Sequence, residues 1–74
     1  MKLLNDESVY IVSGFYHKVK YVCEFICYNF DGSVILDLTL YRKKAQKLSM
    51  NLAIQAAKEL KSKGFVNINI EEVK

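Results

Sequence analysis

The sequence predicts an α+β domain of order β-β-β-α-β, an antiparallel meander with one helix packed on one face of a four-stranded sheet. Three observations predict it. Two segments rich in Val, Ile, Tyr and Phe precede an Asp31-Gly32 dipeptide and a third follows it, apolar residues take helical spacing from about residue 44, and alternation returns after Gly64. With 74 residues, no Pro, no repeat and no Gly/Ser-rich linker, residues 1–74 read as a single small domain.

Each element follows from local pattern. Residues 9–16 form a β-branched and aromatic first strand, in which Gly14 marks a bulge or a close backbone approach. His17 and Lys18 occupy a turn. Residues 19–30 are the second strand and 34–41 the third, joined by a two-residue Asp31-Gly32 turn of type I′. That turn pairs Cys27 with Leu36, Phe25 with Leu38 and Cys23 with Leu40 on an apolar core face. The same register sets Tyr28 against Ile35, Ile26 against Asp37 and Glu24 against Thr39 on the other face. Over 44–63, Ala45, Leu48, Leu52, Ala56 and Leu60 share one helix side, and Gly64 supplies a left-handed stop. The start is crowded by Arg42, Lys43, Lys44 and Lys47, so Ser49 is an alternative N-cap. Residues 65–73 alternate Val66, Ile68 and Ile70 with Asn67, Asn69 and Glu71 as a fourth strand, expected beside the first and parallel to it.

Composition bounds the function classes. Apolar content of 51% with a net charge of +3 argues against a disordered tail. Every apolar stretch is interrupted well before the roughly 18 residues of a membrane span, and Leu3 and Leu4 are too few for a signal-peptide core, so a cytoplasmic protein is expected. Charge is uneven. Residues 1–40 hold Lys2, Lys18 and Lys20 against Asp6, Glu7, Glu24, Asp31 and Asp37, a net −2, whereas residues 41–74 carry a net +5. Cys23 and Cys27 lie about 13 Å apart along a strand, beyond disulfide or shared-metal reach, and read as small core residues on one face. The lone His17 sits in a turn with no nucleophile, phosphate-loop or zinc signature around it, so no enzyme, metal or cofactor is expected.

Two surfaces remain as candidates. A single helix covers one sheet face, which leaves Val22, Glu24, Ile26, Tyr28, Phe30, Ile35, Asp37, Thr39 and Tyr41 on the other unless Leu3, Leu4 or the termini cover part of it. Ile26, Tyr28, Phe30, Ile35 and Tyr41 are its anchors for another protein or a second copy, as in a homodimer. Glu24 and Asp37 within that face disfavour stacking of nucleic-acid bases on it. The alternative is a nucleic-acid-binding module built on the basic patch Arg42, Lys43, Lys44, Lys47 and Lys58, at the strand-helix junction and along the outer helix face.

In size, in freedom from catalytic signatures and in Lys/Asn/Ile-rich usage, the chain resembles the small stand-alone proteins carried by phages and other mobile elements. Many of those bind and inhibit a host protein, including defence nucleases. The resemblance implies a non-catalytic inhibitor acting by protein-protein contact.

Overall fold

The computed structural model describes residues 8–73, so Leu3 and Leu4 lie outside the described residues. The elements are β1 (Val9–Tyr16), β2 (Val19–Tyr28), β3 (Val34–Thr39), α1 (Met50–Ser62) and β4 (Val66–Val73), with one 3₁₀ turn at Arg42–Lys44. They form one sheet of order β3-β2-β1-β4 with α1 packed mainly on β1 and β4, as the sequence predicts.

β4 does lie beside β1, but it is antiparallel to β1 rather than parallel. The segment between β3 and α1 is the reason. The 3₁₀ turn reverses the chain, and Leu48 then exchanges two backbone hydrogen bonds of 2.8 Å with Tyr10, near the start of β1. The helix therefore begins at that end and rises along β1 until Leu60 reaches Gly14. The chain must come back down as β4.

The helix starts six residues later than its apolar period suggests. Ser49 is the N-cap, with its hydroxyl accepting from the Leu52 N–H at 3.4 Å, and the basic run stays outside the positive helix end. Ala53, Ala56 and Leu60 form the buried stripe; Leu48 is also buried, but from the extended segment before the helix. At the other end the Phe65 N–H donates to the Leu60 carbonyl at 3.0 Å and the Gly64 N–H to the Lys61 carbonyl at 3.1 Å. With Gly64 at φ 93° this is a Schellman stop.

Strand register departs from expectation at one loop. The β2–β3 connection has three residues, Phe30-Asp31-Gly32, closed by the Asn29 N–H on the Ser33 carbonyl at 2.8 Å. Gly32, at φ 87°, takes the single left-handed position of that loop. The Asp31 carboxylate accepts from the Ser33 N–H at 2.9 Å and from its hydroxyl at 2.7 Å, which makes Ser33 the loop's far end. Pairing is therefore Tyr28 with Val34, Cys27 with Ile35, Ile26 with Leu36 and Phe25 with Asp37. A bulge at Glu24 then shifts the partners to Cys23 with Leu38 and Val22 with Thr39.

Candidate interaction surface

The bulge decides which side chains face the core. Cys23 points towards the helix, the extra residue Glu24 resets the alternation, and Ile26 then points the same way as Cys23. Ile26 is 3% exposed and joins Val12, Cys23, Leu48, Ala53, Ala56 and Leu60 in the core. It cannot be a surface anchor. Phe25, expected inside, is 42% exposed, and Cys27 takes the face opposite to Cys23. Leu36 and Leu38 pack on the core as expected, whereas Leu40 is exposed.

Beyond Val22 the second strand leaves β1, since their pairing runs only from Tyr16–Val19 to Ser13–Val22. Gln46 fills the opening: its N–H donates to the Cys23 carbonyl and its side-chain oxygen accepts from the Ile26 N–H, each at 3.0 Å. Among the described residues the outer half of β2 therefore has β3 as its only strand partner, and the hairpin runs out past the helix in a molecule 48 Å long and 19 Å thin.

Four anchors named from sequence remain at the surface, but they do not share one face. Ile35, opposite Cys27, lies 40% exposed on the side away from the helix, together with Phe25. Tyr28, opposite Val34, lies on the helix side beyond the helix and is 53% exposed. Phe30 stands fully exposed in the loop. Tyr41 is exposed after β3, where the Lys44 ammonium sits 5.5 Å from its ring centre. Phe25 was missed because period-two alternation from Cys23 places it inside. The unbroken run Phe25-Ile26-Cys27-Tyr28 after Glu24 is the signal that alternation fails there.

The face away from the helix is exposed along this hairpin and again at Lys20, Val66 and Asn69, which share the face of Ser13 by register. Towards β1 it holds Ile11, Ser13 and Val22, all buried. The Glu71 carboxylate stands beside Ile11 by register, and Arg42 grips it through two hydrogen bonds of 2.7 and 2.9 Å. Those bonds hold the Glu71 carboxyl below the usual carboxylate range.

The basic patch is not one helix face. Arg42 is committed to Glu71, Lys43 and Lys44 sit in the 3₁₀ turn, and Lys47 lies in the extended return segment; only Lys58 is on α1. The projecting hairpin has the opposite charge. Residues 21–40 contain Glu24, Asp31 and Asp37 and no cation, a net −3 beside Phe25, Tyr28, Phe30 and Ile35. Burial pushes the Cys23 thiol up to about 11, while the free Cys27 is partly exposed. No helix among the described residues is long and apolar enough to cross a membrane. Comparison with protein-family models, with curated proteins and with solved structures found no match to this chain.

Proposed function

We propose that this is a non-catalytic binding protein whose contact element is the β2–β3 hairpin, and that its partner is a protein with a cation-rich, partly apolar surface. The observation that carries the reading is a hairpin presenting Phe25, Tyr28, Phe30 and Ile35 to solvent among acidic residues alone. Exposed aromatics of this kind supply most of the energy when an interface closes over them. The acidic groups repel phosphates and attract lysine and arginine, so the same element favours protein over nucleic acid. Covering a cation-rich surface denies it to that protein's own anionic ligands, which makes inhibition by occupancy the mode of action.

The test is affinity capture from lysate of the source cells with the folded wild type, Phe30→Ala, Tyr28→Ala and a Lys58→Glu/Lys61→Glu control. One protein of basic surface should be retained by the wild type and the control, released by added salt, and lost from both aromatic variants. Retention by the aromatic variants sinks the reading. So would salt-sensitive retention of DNA or RNA that the double lysine variant abolishes.

A further inference from the structure

Among the described residues, the proposed contact element also has an unpaired strand edge, and its chemistry specifies how a partner would seat. β3 is, among the described residues, the outermost strand on its side of the sheet, paired with β2 alone. Asn29 and Ser33 form a hydrogen-bonded pair, so by antiparallel alternation Ile35 and Asp37 also face β2 with their backbone groups. The N–H and C=O groups of Val34, Leu36 and Leu38 consequently point outward. Such a row is a template for another strand, and proteins commonly blunt it with lysine, proline or a bulge. The opposite edge is blunted: β4 carries a bulge with Asn67 at φ 51°, and Glu71 and Glu72 near its end. β3 has no proline, no cation and no left-handed residue. Its one charge, Asp37, sits on the same face as Ile35 and Phe25.

Resting on the hairpin reading above, we propose that the β3 edge accepts an extended segment of the basic partner as a fifth, antiparallel or parallel strand. Its backbone satisfies the outward groups of Val34, Leu36 and Leu38. On one side its apolar residues flank Leu36 and Leu38; on the other its lysine or arginine residues meet Asp37 beside Ile35. The charge argument selects a basic segment over a second copy of this chain, because two β3 edges would bring Asp37 of each copy onto the same face with no cation on either strand. Main-chain pairing gives the affinity in this mode of recognition, and the alternating side chains give the specificity.

The experiment uses the full ¹⁵N-labelled chain and a capped hexapeptide of alternating valine and lysine, with a valine-glutamate peptide as the control. Under saturating lysine peptide, amide exchange at Leu36 and Leu38 should slow at least tenfold. The glutamate peptide should bind at least tenfold more weakly, as should the lysine peptide to Ile35→Lys, which puts a cation on the edge without touching the core. Peptide-induced shifts at Tyr28 and Phe30 with unchanged exchange at Leu36 and Leu38 would overturn the strand-addition inference while leaving the hairpin reading in place. Binding of neither peptide overturns the inference alone, since the capture test with Phe30→Ala judges the hairpin separately. Protection of Leu36 and Leu38 that grows with protein concentration, before any peptide is added, also overturns it by assigning the edge to a second copy.

Discussion

The side-chain oxygen of Gln46 accepts a hydrogen bond from the backbone N–H of Ile26 at 3.0 Å, across the opening where β2 parts from β1. A side chain thus stands in for a missing strand partner. Gln46→Ala leaves that part-buried N–H without its acceptor and should destabilise the fold by about 1–2 kcal/mol. Chemical denaturation checks the loss, and amide exchange at Ile26 should accelerate more than at Val12. Equal acceleration at both sites would mean that the bond has no local role.

The β1–β2 turn holds two non-glycine residues in left-handed conformation, His17 at φ 51° and Lys18 at φ 67°. A type I′ turn favours Asn followed by Gly at these positions. The pair His17→Asn/Lys18→Gly should raise stability by about 1 kcal/mol, and the midpoint of thermal unfolding by a few degrees. The gain is reduced by whatever the edge contact between the His17 and Tyr16 rings, 4.3 Å apart, contributes.

The two thiols should behave differently. Cys23 is fully buried with its thiol raised from the ordinary 9.0 to about 11, whereas Cys27 is partly exposed. Iodoacetamide at pH 8 should therefore label Cys27 in the native protein and Cys23 only after unfolding. Linkage has a definite sign. A raised folded value stabilises fully below the unfolded value near 9.0 and is lost as pH climbs through about 11. Cys23→Ser should remove this contribution to the alkaline fall in stability, although the buried hydroxyl lowers stability at neutral pH. An unchanged alkaline slope would show that Cys23 does not contribute to it.

Gly14 leaves room for the helix end: a methyl there would stand 3.3 Å from both Leu60 Cδ1 and Ile68 Cγ1. Gly14→Val overfills this junction and should destabilise by about 2 kcal/mol, read by denaturant unfolding. Gly14→Ala should have a smaller effect, because Leu60 Cδ1 is a side-chain end that can yield by a few tenths of an ångström and only the Ile68 methylene must shift with it.

Most of the architecture was legible because it rests on periodicity. The strands, the helical stripe and the Gly64 stop are all written in local spacing, and so is the β1–β2 turn. The registers of β2 and β3 were not. Asp31-Gly32 is compatible with a two-residue turn and with the last two residues of a three-residue loop; the choice depends on the Asp31–Ser33 and Asn29–Ser33 hydrogen bonds. The bulge at Glu24 follows from tertiary structure, since Gln46 must come back from twenty residues away to bond Ile26. That return also set the direction of β4, and it exchanged Ile26 for Phe25 at the surface. Of the candidate site, the aromatic tip was readable from residue type alone, while the sidedness of its neighbours was not.

The split of β2 from β1 also orders the charges in space. Lys18 and Lys20 stand at one end of β2, where Gly64 approaches Tyr16 and Lys61 and Lys63 close the helix. Glu24 and Asp31 lie towards the other. β2 and its hairpin are thus charge-asymmetric along their length, and that field would help to turn the molecule in an encounter before any contact forms. A cation-rich target would meet the aromatic tip first, so association should be fast at low ionic strength and should slow as salt screens that torque.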